Sequence, residues 1–150
     1  MNRRGARYPW VWAIVAVVLA LGLGVPSAAQ SGQPTILAMG QWQGADSFHQ
    51  AQGKALLVRL PDGRRFVRFE DFRVTNGPDL YVYLSGHPSP RTSAQLHEGG
   101  AFEVAQLKGN IGNQNYELPA GLDVSSVKSV TIYCKRFSVL FGSAQLIARP

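Results

Sequence analysis

Cys134 is the only cysteine in a chain of 150 residues, and two cations, Lys135 and Arg136, follow it directly. Three chemistries are open to a lone thiol in that setting. As a small apolar side chain it packs into a core. As a thiolate stabilised by Lys135, Arg136 or a more distant cation, it is a redox group that forms a mixed disulfide with a partner or a sulfenic acid. As a metal ligand it belongs to a copper electron-transfer centre, which takes one thiolate, two imidazoles and a weak thioether. The chain holds His49, His87 and His97, with Met39 the methionine beyond the initiator, so Cys134, His49 and Met39 are the candidate ligands. The local spacing of blue-copper proteins is absent, because no His or Met follows Cys134.

Other candidates read more plainly. His49, in Phe48-His-Gln-Ala-Gln-Gly53, fits a hydrogen-bonded structural imidazole better than a ligand. His87, between Gly86 and Pro88, and His97, in a polar stretch, are expected to be exposed loop residues. Asp79 follows Pro78 in a turn, where its carboxylate can accept backbone N–H bonds. Asn110, Asn113, Gln114 and Asn115 gather amides, but without the interleaved aromatics of a sugar site. The chain has no Cys-x-x-Cys, no Cys-x-x-Cys-His haem attachment, no His-Glu-x-x-His and no phosphate loop. With no second thiol, thioredoxin-type exchange within the domain and covalent c-type haem are both excluded. No cofactor is identified by these residues.

The thiol needs a strand to hold it. Val130, Ile132 and Cys134 alternate with Thr131, Tyr133 and Lys135, the period of a strand with one buried face, so the sulfur is expected to point into the core. Further strands are expected at Ile36–Gln43, Lys54–Leu60, Arg65–Phe72, Leu80–Leu84, Phe102–Leu107 and Tyr116–Leu118. Pro61-Asp-Gly-Arg64 marks a hairpin, and Phe72 breaks the alternation of Val67 and Phe69, which predicts a bulge near Asp71. Asp123 is placed to cap a single helical turn. No stretch carries a sustained helical period. Seven to nine short strands separated by turn residues predict an all-β fold, an antiparallel, jelly-roll-like β-sandwich.

At the N-terminus, Arg3, Arg4 and Arg7 precede an apolar run from Trp10 to Val25 and then Pro26-Ser-Ala-Ala-Gln30. This is the pattern of a signal-peptide helix over residues 1–29 with cleavage after Ala29. As a helix the run reaches roughly 24 Å, short of a bilayer core of about 30 Å, so cleavage is expected in preference to retention as an anchor. Residues 30–38 are expected as a flexible tail and 39–150 as the domain. Removing residues 1–29 takes away three arginines and no acid, lowering the net charge from +6 to +3. The remaining basic residues are scattered, with Arg64, Arg65 and Arg68 the densest group, in a hairpin beside Glu70 and Asp71, so no nucleic-acid partner is expected.

Three segments, Asn76–Ser85 (NGPDLYVYLS), Leu107–Pro119 (LKGNIGNQNYELP) and Ser129–Leu146 (SVTIYCKRFSVLFGSAQL), resemble the electron-transfer DM13 domain family. The resemblance runs from about Met39 to Leu146 and includes the His49 segment. It implies a small extracytoplasmic domain, redox-active through one shared cysteine that maps onto Cys134. The expectation is therefore a periplasmic or extracellular redox or electron-transfer accessory domain, not a stand-alone enzyme. It would work with a redox protein of the cell envelope, without nucleic acid and without a membrane span after cleavage. The rivals are a non-catalytic binding module with a structural cysteine and a copper carrier.

Overall fold

The computed structural model describes residues 32–150, and the expected signal peptide lies outside them. Nine strands form: β1 (Thr35–Gly44), β2 (Ala51–Arg59), β3 (Arg65–Val74), β4 (Leu80–Ser85), β5 (Phe102–Gln106), β6 (Gln114–Leu118), β7 (Ser129–Cys134), β8 (Val139–Gln145) and β9 (Ile147–Ala148). Their order is β5-β4-β7-β8-β1-β2-β3-β6, with β9 paired to β1, and every pairing is antiparallel. The expected all-β antiparallel sandwich is thus present. It is nearly a barrel, because β1 serves both sheets: Thr35–Gln41 pairs with β2, and Trp42–Gly44 pairs with β8. On the opposite side β5 and β6 approach each other, and the Lys108 N–H donates to the Tyr116 hydroxyl at 2.9 Å.

Alternation decides what lies inside. Ala38 and Trp42 from β1, Ala55 and Leu57 from β2, and Val67, Phe69, Phe72 and Val74 from β3 point inward to meet Val82, Leu84, Val130, Ile132 and Cys134. The aromatic centre is tight. The Trp42 ring meets Phe69 edge-on at 4.9 Å, Phe72 lies 4.8 Å from Phe69, and Tyr116 lies 5.2 Å from it. Contacts of this kind add specificity to area burial.

The bulge expected near Asp71 is there. Opposite Gln52–Lys54 the partner strand runs from Arg73 to Glu70, one residue more, and Asp71 takes φ 50. That extra residue returns Phe72 to the core side. Asp123 caps a 3-10 turn at Val124–Ser126, its carboxylate accepting the Ser125 N–H.

Three local expectations are corrected. β1 begins at Thr35, inside the 30–38 stretch read as a tail, because Thr35 and Ile36 find partners in Arg59 and Val58. A short helix, α1 (Ser93–Glu98), forms where a loop was expected, capped by Thr92, whose side chain accepts the Gln95 N–H. It buries only Leu96, too few apolar residues for a helical period to show. The outer face of β7 is also covered: Thr131 and Tyr133 are as buried as their neighbours, since Leu96 packs with Tyr83, Tyr133 and Leu140 over that side.

Candidate redox site

Cys134 is the last residue of β7, paired with Leu80 of β4 and Val139 of β8. Its side chain is fully buried, 0% exposed, in the apolar cluster that also holds Val130, Ile132, Leu80 and Phe141. The inward orientation expected from the alternation holds.

Of the two cations that follow it, Lys135 is directed away from the sulfur. The alternation sends Lys135 to the outer face, where its Nζ donates to Glu103 Oε2 at 3.0 Å and lies 4.2 Å from the centre of the Tyr81 ring. Glu103 holds the Lys135 ammonium pKa above its ordinary range. Arg136 is exposed in the turn that leads to β8.

Strand polarity places that turn in company. The β1–β2 loop, the β3–β4 loop, the β5–β6 loop and the β7–β8 turn lie at one end of the sandwich, tied by bonds from Ala45 N to Phe141 O, Thr75 N to Gln50 O, Val74 N to Asn110 O and Lys135 N to Asp79 O. Phe48, Ile111 and Phe137, among the large apolar side chains left exposed, sit on three of these loops. Ser138 of the turn adopts φ 53, the left-handed region that a non-glycine residue occupies at some cost.

His49 belongs to the same end. Its Nδ1 and Asp46 Oδ2 are hydrogen-bonded at 2.7 Å, while Asp46 Oδ1 accepts the backbone N–H groups of Phe48 and His49, both at 2.8 Å. The His49 side chain, followed by these N–H groups, brings the Asp46 carboxyl down to about 2. The His49 ring packs on Phe141 at 4.4 Å. Met39 lies elsewhere, on the face of β1 opposite to Ala38 and Trp42, with Arg149 Nε donating to its sulfur at 3.1 Å. The structure therefore does not bring Cys134, His49 and Met39 together. Among the described residues no three or more His, Cys, Asp or Glu side chains are grouped to hold a metal.

His87 departs from expectation. It is half-buried, and its Nδ1 accepts the Ser89 N–H at 3.2 Å while its carbonyl accepts from Ser129 Oγ at 2.7 Å. His97 is exposed but sits in the last turn of α1, its ring edge-on to Tyr133 at 5.8 Å. Sequence reasoning missed the outer-face tyrosines altogether. Tyr83 donates to Glu103 Oε2 at 2.6 Å and meets Tyr133 edge-on at 5.5 Å. The alternation of Tyr81 and Tyr83 in β4 was the available signal.

The molecule so described is a small antiparallel β domain with one thiol buried at the end of a central strand. Residues 44–146, well over half of the chain, match the family model described as Electron transfer DM13, and the chain belongs to that family. The electron-transfer character of the family is thereby this domain's general class. No curated protein and no solved structure matches the chain.

Proposed function

We propose that the chain is a secreted or periplasmic accessory domain that exchanges electrons with a redox protein of the cell envelope, with Cys134 as its active group. The observation that carries this reading is the position of Cys134, immediately before an exposed turn at the end of the sandwich that presents Phe48, Ile111 and Phe137. A partner that docks against these exposed apolar side chains, on three loops at one end of the sandwich, stands over the thiol-bearing strand end. In the exchange Cys134 gives up its proton and attacks one sulfur of the partner's disulfide. The mixed disulfide forms, and the other sulfur leaves as a thiolate. A fully buried thiol needs the turn Lys135–Ser138 to open first, a local event that requires less than global unfolding. The compartment is supported by the arginine-headed apolar segment and by Ala29 as its cleavage site.

A second reading is favoured by the burial itself: a non-catalytic binding module in which Cys134 only packs against Ile132 and Leu80. Native-state alkylation separates the two. Reaction faster than global unfolding supports the redox thiol. Reaction that waits for global unfolding overturns it and leaves the binding module.

A further inference from the structure

Three tyrosines share the outer face of the sheet that holds Cys134. Tyr81 is the cross-strand partner of Tyr133, and the Tyr83 and Tyr133 rings meet edge-on at 5.5 Å. Tyr83 and Tyr133 are 8% and 6% exposed, shielded by Leu96 and Leu140. Their hydroxyls differ in what they face. Tyr133 Oη shares a hydrogen bond of 3.1 Å with Ser93 Oγ, a neutral hydroxyl and a poor base. Tyr83 Oη donates at 2.6 Å to Glu103 Oε2, a carboxylate that reaches solvent and is paired with Lys135 Nζ.

That difference matters for one-electron chemistry. A phenol that loses an electron becomes a strong acid, so its oxidation is easy only where a base already stands within hydrogen-bond reach of the proton. We propose that Tyr83 is a second redox group of this domain, giving an electron to a high-potential one-electron oxidant, such as an oxidised metal centre of a partner, and its proton to Glu103. The electron leaves the phenol, the Tyr83 O–H bond breaks, and an O–H bond forms on Glu103 Oε2. A neutral tyrosyl radical and a neutral carboxylic acid remain, with Lys135 still protonated. Reduction by a one-electron donor, such as a reduced metal centre of a partner, returns the electron to the tyrosyl radical while Glu103 Oε2 returns the proton to its oxygen. Burial first, then the Glu103 contact, holds the Tyr83 phenol above its ordinary range, so the group is protonated when oxidation begins and a base is required. Tyr133 is not the radical site, because Ser93 cannot take its proton. Tyr133 adjoins Cys134 along β7, which puts Tyr133 one peptide unit from the buried thiol.

The proposal rests on the electron-transfer reading without using Cys134 in its step. The test uses the processed full chain with photogenerated tris(bipyridine)ruthenium(III) as oxidant and electron paramagnetic resonance as readout. The radical is expected on Tyr83, although Tyr81 is more exposed. Tyr83→Phe should remove that signal, and Tyr81→Phe should keep it. Glu103→Gln should slow its formation about a hundredfold, and the wild-type rate should fall as pH drops through the Glu103 range, which Tyr83 and Lys135 hold low. The groups facing Tyr83 and Tyr133 in that titration are Glu103, Lys135, Tyr81 and His97. Unchanged circular dichroism in each variant guards against misfolding. An equal signal in Tyr83→Phe, or an unchanged rate in Glu103→Gln, overturns the proposal. Failure of the thiol reading shows separately, as Cys134 that resists native alkylation while the Tyr83 radical still forms.

Discussion

Cys134 and Lys135 are neighbours in the chain that face opposite sides of the sheet: the thiol is buried in the core, and the Lys135 ammonium lies 3.0 Å from Glu103 Oε2 on the outside. A cation held there is spent on a carboxylate, with a β-sheet between it and the sulfur. Lys135→Met is therefore expected not to slow the alkylation of Cys134, and it speeds the reaction to the extent that the Lys135–Glu103 pair holds the turn closed. Its effect on stability is expected to be small, because the Lys135–Glu103 pair is substantially exposed and screened by solvent. A slower thiol in that variant, measured under native conditions, would restore Lys135 as its activator.

Replacement of the thiol itself reads the core. Cys134→Ser places a hydroxyl among Val130, Ile132 and Leu80, and is expected to cost about 1–3 kcal/mol. Cys134→Ala, which leaves no polar atom behind, should cost less. Urea unfolding of the two variants checks the order, and a Ser variant as stable as Ala would mean that the hydroxyl finds a partner.

Acid should loosen the loop that carries His49. The Asp46 carboxyl titrates at about 2 in the folded protein, below its ordinary 3.8, because His49 and the backbone N–H groups hold its ionised form. A depressed acid stabilises the fold above its unfolded pKa, and that contribution is lost as pH falls from about 4 through about 2. In a carboxyl NMR titration His49→Ala should move the Asp46 midpoint upward. No movement would show that the backbone N–H groups alone hold it.

Strand periodicity made most of the fold legible. Val130, Ile132 and Cys134 lie inside as their spacing requires, and Phe72, out of step with Phe69, locates the Asp71 bulge. The opposite face of β7 was not legible, because Thr131 and Tyr133 look polar in sequence and are covered by a helix that contributes a single buried residue, Leu96. Tertiary packing, not local pattern, buries them. The candidate site was legible in its residue and not in its surroundings. The sequence placed Cys134 beside two cations, and strand alternation then turned Lys135 away. The link between Tyr83 and Glu103 joins strands 20 residues apart and has no local signature.

The near-barrel depends on β1 changing partners, and Gly40 stands where it does so. Upstream, Met39 pairs with both Leu56 and Ile147; downstream, Trp42 pairs with Ala144. Between Ala144 and Ile147 the neighbouring chain swings past β1, and the Gln145 carbonyl comes so close that a Cβ on Gly40 would lie 1.9 Å from its oxygen. Backbone, not a flexible side chain, fills that space, so it cannot be cleared by a rotamer change. Gly40→Ala must push β8 and β9 away from β1, and is expected to destabilise the domain by about 3 kcal/mol or more. Gly121→Ala is the control for loss of a glycine as such, since a Cβ there meets nothing within 4 Å and its φ lies outside the left-handed region. Urea midpoints of the two variants decide the matter: a Gly40→Ala protein no less stable than Gly121→Ala would show that β1 can join the two sheets without a close approach at Gln145.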